Sequence, residues 1–230
     1  MTKHESLVVV VGGGEPPATE VARWLVAEIE SQAGNSNPPA VVVAVDHGLD
    51  HVRDMGLVAD VVVGDMDSVS TNVLKEATEA GVKVARFLAD KNESDLELAL
   101  AWVNEHIAAP RRVVCVGTAG GRWDHEIINV AVIGAWAAVH DDVTIVERRG
   151  TIRIVVGGSG PVVLETPVGT TISLHPLGGD ATGVNVTGMT WPLEDAVLTP
   201  GSSLALSNVS EGERQTVSCL TGRLLAVVAN

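Results

Sequence analysis

Cysteine is scarce, with Cys115 and Cys219 far apart and each inside an apolar stretch. Such spacing builds neither a disulfide framework nor the paired ligands of a structural zinc site, and it fits a reducing, cytoplasmic setting. Basic charge is short as well: 15 Lys and Arg stand against 29 Asp and Glu, without long runs of either sign. That balance points away from a nucleic-acid partner and toward solubility. Long apolar runs are missing too. Leu7 to Val11 meets Gly12-Gly13-Gly14 too soon to serve as the core of a signal peptide, and no later stretch reaches about eighteen apolar residues. The expectation is a soluble protein with no membrane partner. Several catalytic signatures are also lacking. His47 and His51 lie four apart without a HExxH pattern, and Gly158-Ser159-Gly160-Pro161 does not complete a nucleophile elbow. Gly12-Gly13-Gly14-Glu15 lacks both the Lys-Ser/Thr of a phosphate-binding P-loop and the full dinucleotide fingerprint.

The chain does hold 46% apolar residues in 230 positions, enough to bury one large or two small cores. Up to residue 149, short β-branched runs alternate with longer segments of helical period, the pattern of parallel strands joined by crossover helices. Strands are predicted near 6–11, 40–45, 60–64, 82–86, 112–117 and 143–147. Pro16-Pro17 opens a helix carrying Val21, Trp24, Leu25 and Ile29, and a second apolar stripe runs from Ile127 to Val139. Residues 34–39 read as a surface loop. From 150 onward Gly and Pro punctuate short runs such as Thr170 to Leu174, Leu204 to Leu206 and Leu224 to Val228. The expected fold class is an α/β domain over 1–149, an open, mainly parallel sheet with flanking helices, followed by an all-β sandwich domain over 150–230.

Polar residues gather where three of these strands end: Asp46-His47-Gly48, Gly64-Asp65-Met66-Asp67-Ser68, and Gly117 to His125. Carboxyl ends of strands are where open α/β sheets bind ligands, although Asp and Gly also favour ordinary turns. Asp65 and Asp67 are two apart, so in extended backbone their carboxylates share a side. Like charges so close repel unless a proton is shared or a cation bridges them, and Mg²⁺ is the simplest such cation. Ser94-Asp95-Leu96-Glu97 has the spacing of a capping box, which places Asp95 in a first helical turn. The helix dipole favours an aspartate there whatever its function. Upstream, Lys91 is placed either to meet a phosphate at that helix start or to sit in a solvated charged loop. Gly120 and Gly121 would let backbone amides approach an anion, Arg122 adds a planar fork, and Asp124-His125 opens a helix whose N-terminus attracts negative charge.

In motif order and content the chain resembles the thiamin pyrophosphokinase family. The matching pieces are Asp46-His47-Gly48; Gly64 to Ser68; Asp90-Lys91-Asn92-Glu93-Ser94-Asp95-Leu96-Glu97-Leu98-Ala99-Leu100; Gly120 to His125; Gly188-Met189-Thr190-Trp191-Pro192-Leu193; and Ser207-Asn208. Each piece is short and individually common, whereas the ordered set is specific. Three positions depart from the family pattern: His47 where a second glycine is usual, Asn92 where aspartate is frequent, and Ser94 where threonine is usual. Ser94 keeps the helix cap, while Asn92 removes one acidic ligand and His47 alters the nucleotide end of the site.

The resemblance implies an enzyme in which the primary hydroxyl of thiamine attacks the β-phosphorus of Mg-ATP, giving thiamine diphosphate and AMP. It implies a homodimer whose substrate lies between the α/β domain of one subunit and the β domain of the other. On that reading Asp65, Asp67 and Asp95, assisted by Asp46, hold Mg²⁺. Ser68, Lys91, Gly120, Gly121 and Arg122 belong to the ATP side, and Asp124 and His125 orient the nucleotide or its loop. Trp191 would stack on thiamine, with Ser207 and Asn208 bonding its pyrimidine edge; a core tryptophan and an ordinary turn are the competing readings. Two other functions use the same residues: a metal-dependent nucleotide hydrolase with water as acceptor, and a sensor that binds nucleotide or thiamine without turnover.

Overall fold

The computed structural model describes residues 6–34, 38–88 and 92–229. The chain divides into two compact units, Met1–Ile133 with Ile145–Glu147, and Gly134–Thr144 with Arg148–Asn230. Helix α5 (Trp123–Trp136) and strand β6 (Asp142–Glu147) each contribute residues to both units.

The first unit starts from β1 (Ser6–Val11), where Val8, Val9, Val10 and Val11 have no exposed surface. A strand of consecutive β-branched residues suits a parallel sheet covered on both faces. It runs parallel to β2 (Val41–Val45) on one side and to β5 (Arg111–Val116) on the other, with Val9 opposite Val42 and Val114. Then β3 (Val61–Gly64) joins β2, and β4 (Lys83–Arg86) joins β3, also parallel. The order β5-β1-β2-β3-β4 means that the chain builds outward from β1 in one direction and returns to place β5 on its other side. The crevice beyond the carboxyl ends of β1 and β5 is therefore the topological switch point, where doubly wound sheets take ligands.

Alternate residues set the faces of this sheet. Leu7, Val9 and Val11 enter a core with Leu25 of α1 (Thr19–Gly34), Leu49 and Val52 of α2 (Gly48–Asp54) and Val73 of α3 (Thr71–Glu79). Helix α4 (Asp95–His106) packs on β2 and β3 and buries Leu96, Ala99, Leu100 and Val103. Its capping box is formed: Glu97 N–H donates to Ser94 Oγ at 3.2 Å and Ser94 N–H donates to Glu97 Oε2 at 2.9 Å. Helix α5 stops at Trp136, short of the expected 139, although the apolar pattern continues. There Asp141 N–H closes a turn on the Ala138 carbonyl at 3.1 Å, and Arg223 Nη2 reaches the Ala137 carbonyl at 3.4 Å, so these groups find partners outside a helix.

The second unit holds two antiparallel sheets. One has the order β12 (Asn208–Val209), β9 (Thr171–Pro176), β14 (Arg223–Ala229), β7 (Gly150–Val156). The other has β11 (Leu193–Leu198), β10 (Ala181–Thr187), β13 (Arg214–Ser218), β8 (Val162–Glu165). Alternate side chains of the two, among them Ile172, Leu174 and Leu224 with Val184, Val186 and Val217, share one core, which makes a sandwich. The run Leu204 to Leu206 is a turn, contrary to the strand its leucines suggest. Leu204 N–H bonds Ser202 Oγ and Leu206 N–H bonds the Ser203 carbonyl, so the flanking serines supply local partners that compete with a ladder. Among the described residues no helix is long and apolar enough to cross a membrane. Of the residues expected in the surface loop, 35–37 lie outside the described ones.

Candidate active site

Four strand ends of the first unit converge on a cavity of about 780 Å³. Its walls include Gly12 and Gly14 after β1, Asp46 after β2, Asp65 after β3, Asp95 at the start of α4, and Gly117 after β5. The carboxylates of Asp46, Asp65 and Asp67 offer oxygen atoms that all lie within 4.8 Å of one another. Asp65 and Asp67 come together through a turn and not through extended backbone. Met66 has φ 70° and the Asp67 N–H donates to Asp65 Oδ1 at 3.0 Å. Asp46 is itself left-handed, with φ 47°. Asp95 stands outside the triad but lies against the same ground: a Cβ added at Gly64, φ 151°, would meet Asp95 Oδ1 at 3.3 Å and Asp46 Cβ at 3.1 Å. Glycine at 64 thus lets two carboxylates approach across a strand end.

Electrostatics mark Asp46. Burial pushes its carboxyl above the ordinary value, the charges of Asp95, Asp65 and Asp67 push the same way, and the hydrogen bond from Ser68 Oγ opposes them. Its Oδ1 is buried without a hydrogen-bond partner. A carboxylate with one orphaned oxygen, clustered with two further carboxylates, is a donor set of hard oxygens with unbalanced negative charge, which a divalent cation such as Mg²⁺ satisfies.

The two glycine-rich segments are laced together. Gly12 N–H bonds the Val116 carbonyl at 2.9 Å, Gly14 N–H the Gly117 carbonyl at 2.8 Å, and Glu15 N–H the Ala119 carbonyl at 2.8 Å. A Cβ at Gly14 would come within 2.3 Å of the Ala119 oxygen, so only glycine permits this approach. Beneath the second loop, Glu147 at the end of β6 accepts from Thr118 N–H at 2.7 Å, Thr118 Oγ1 at 2.8 Å and Ala119 N–H at 3.1 Å. Asn129 of α5 donates to the Thr118 carbonyl at 2.7 Å. Gly120 N–H reaches toward Glu126 Oε2 at 3.4 Å. These amides are engaged by carboxylates, so Gly120 chiefly permits close packing against Glu15, while Arg122 stands ahead of a helix start whose backbone N–H groups favour an anion but whose first turn also carries Asp124 and Glu126. From α2, the His51 Nε2–H donates to the Gly14 carbonyl at 3.0 Å. Glu147 and Asn129 escaped sequence reasoning because neither sits in a motif, and His51, noted there only for lacking a HExxH pattern, acts on a carbonyl 37 positions away.

Among the residues singled out from sequence, Arg122 and Asp124 form a two-point ion pair, with Nε–Oδ1 at 3.1 Å and Nη2–Oδ2 at 2.5 Å. The hydrogen bond from Arg122 brings the exposed Asp124 carboxyl down to about 2. His125, Ser68, Gly120, Gly121 and Arg122 line the cavity. Lys91 lies outside the described residues, whereas Asn92 is exposed just ahead of α4. In the second unit Trp191 is 59% exposed, which removes it from the sandwich core. Asn208 is buried, and its amide is spent on that tryptophan's backbone. Its Oδ1 accepts from Trp191 N–H at 3.0 Å and its Nδ2 donates to the Trp191 carbonyl at 2.7 Å. Ser207 is left-handed, φ 57°, and its N–H bonds Ser173 Oγ at 2.9 Å.

Two family models match the chain: "Thiamin pyrophosphokinase, catalytic domain" over residues 36–146 and "Thiamin pyrophosphokinase, vitamin B1 binding domain" over 162–224. A thiamine pyrophosphokinase of Bacillus subtilis is 25% identical over 199 residues, covering 86% of this chain and 92% of the relative. Among solved structures, the thiamine pyrophosphokinase of Bacillus subtilis superposes with a TM-score of 0.77 at 22% identity, over 98% of this chain and 99% of that one. That of Geobacillus thermodenitrificans gives 0.73 at 24% identity, over 97% of each. These superpositions concern the fold.

Proposed function

This chain belongs to the thiamin pyrophosphokinase family, and we propose that it transfers the pyrophosphoryl group of Mg-ATP to the hydroxyl of thiamine. The products are thiamine diphosphate and AMP. The observation that carries the reading is the Asp46, Asp65 and Asp67 cluster, whose Asp46 and Asp65 line the cavity at the switch point of a doubly wound sheet.

The chemistry asks little covalent work of the protein. The hydroxyl oxygen of thiamine bonds to the β-phosphorus, the bond from that phosphorus to the oxygen bridging it to the α-phosphorus breaks, and AMP leaves with the electron pair. The hydroxyl proton is lost. Positioning and charge neutralisation dominate such a transfer. Mg²⁺, when bound, supplies Lewis-acid polarisation of phosphate oxygens. Asp46, Asp65 and Asp67 would hold it, with Asp95 adding charge at the same strand end. Ser68 fixes the Asp46 carboxylate through its Oγ. Arg122 and Lys91 would meet phosphate oxygens, and for Arg122 this means exchanging Asp124 for a phosphate. The pair is exposed and screened by solvent, so that exchange costs little. Asp124 and His125 would orient the nucleotide side through the first turn of α5. Trp191 presents its ring for stacking on the cationic aromatic acceptor, beside Ser207. We place the reaction in a cytoplasmic homodimer, the domain of residues 1–149 from one subunit facing the domain of 150–230 from the other.

One coupled assay tests this. AMP should form from ATP and a divalent cation only when thiamine is present, and chelator should abolish it. Phosphate or pyrophosphate released equally without thiamine would make the protein a hydrolase, and ligand binding without AMP would make it a sensor.

A further inference from the structure

Thr118 is the second residue of the turn that follows β5, and every polar group it has is taken. Its N–H and hydroxyl donate to one oxygen of Glu147, and its carbonyl accepts from Asn129. Ala119 N–H donates to that same Glu147 oxygen. Thr118 is buried, so none of these bonds is a solvent-exposed accident. The next backbone groups carry the constraint across the crevice, since the carbonyls of Gly117 and Ala119 receive the N–H groups of Gly14 and Glu15. One carboxylate oxygen thus holds the segment from which both glycine loops take their shape, and Arg122 follows three residues beyond Ala119.

We propose that Glu147 is a positioning residue for the nucleotide side of the site. Its carboxylate sets the Gly117–Gly121 turn, and with it the place where Arg122 and the first turn of α5 meet the phosphates of ATP. The inference rests on the assignment of this cavity to ATP. Three donors on one oxygen favour a charged acceptor, because charge-assisted hydrogen bonds are about twice as strong as neutral ones. An amide in the same place still accepts, so glutamine is the conservative replacement and alanine the destructive one.

The test is direct binding of ATP and of thiamine to wild type, Glu147→Gln and Glu147→Ala by titration calorimetry, with folding checked by thermal melting. Glu147→Ala should weaken ATP roughly ten- to a hundredfold, the range for losing hydrogen bonds to a charged group, and leave thiamine within about twofold. Glu147→Gln should recover most of the loss. Unchanged ATP affinity in folded Glu147→Ala, equal weakening of both ligands, or glutamine no better than alanine would each overturn the proposal. If Glu147→Ala does not fold, Thr118→Val decides. It removes one of the three donors and should weaken ATP several-fold, and no effect there overturns the proposal as well. A wild-type protein that binds ATP but yields no AMP with thiamine refutes the assigned reaction and leaves this inference standing, whereas a wild type that binds no ATP ends both.

Discussion

Asp67 is exposed while Asp46 is partly buried, so the two carboxylates separate charge from folding. Asp67→Asn keeps shape and removes charge. Turnover is expected to fall by about 10²-fold or more, the scale of losing a group that stabilises transition-state charge, with the melting temperature nearly unchanged. Steady-state kinetics beside a thermal melt check both halves. Asn208 offers a different kind of variant. Aspartate there still accepts from Trp191 N–H, but it places a second acceptor against the Trp191 carbonyl where Nδ2 now donates. Asn208→Asp should raise the thiamine KM by roughly tenfold while the ATP KM stays put, as expected for one lost hydrogen bond and a buried repulsion. Equal changes in both constants would assign Asn208 to the fold alone. Glu147 also sets a pH dependence. Burial raises its carboxyl above 4.5 despite the bonds from Thr118 and Ala119, and the charge of Glu126 adds to the rise. Its contribution to stability is therefore fully present below 4.5 and is lost as pH climbs through the raised value. Glu147→Gln does not titrate, so urea unfolding should show wild type losing ground against it between acidic and neutral pH. Asp124 acts in the opposite sense. Lowered to about 2 by Arg122, it contributes above its ordinary 3.8 and fades toward strongly acid pH, screened by salt because the pair is exposed.

At the scale of elements, the loop after β1 depends on a missing side chain. Gly14→Ala would drive a methyl into the Ala119 carbonyl, so the two glycine loops must separate. ATP affinity is expected to drop by about tenfold or more while the β-sandwich half keeps its thiamine contacts, and ligand titration reads both. Much of this architecture was legible in advance. The six strands through β6 lie within a residue or so of the predicted runs, because valine clusters bounded by Gly, Asp and Pro leave little room for another structure. The capping box of α4 was equally plain, since it needs only Ser94 and Glu97 three apart. Leu204 to Leu206 misled because local bonds to the Ser202 hydroxyl and the Ser203 carbonyl, not the leucines, hold that backbone in a turn. At the site, Asp46, Asp65 and Asp67 stood out at strand ends, but how they meet did not: the left-handed Met66 turn is a tertiary outcome. Glu147 was illegible for the same reason, as its three donors lie 28 and 29 positions away.

For the whole molecule, the proposed arrangement in which two subunits share each site is open to complementation. Asp67→Asn and Trp191→Asp, each inactive alone, should regain activity when mixed under conditions that exchange subunits, because a mixed dimer contains one site free of both changes. Demonstrated exchange with no recovered activity would confine the site to a single chain. The division of the chain carries another consequence. Residues 134–144 belong with 148–230, and the bonds show why: Arg153 Nη2 pairs with Asp142 Oδ1 at 2.5 Å, and a Cβ at Gly134 would strike Leu177. The passage between units occurs inside a helix and inside a strand, not in a linker. In terms of heredity, a cut at residue 149 would not yield two clean cassettes, because residues 134–144 pack with the sandwich. A single recombination junction near residue 149 would hand the sandwich to a new host without the stretch that covers it, so these halves are expected to travel through descent as a pair and to diversify by substitution in place.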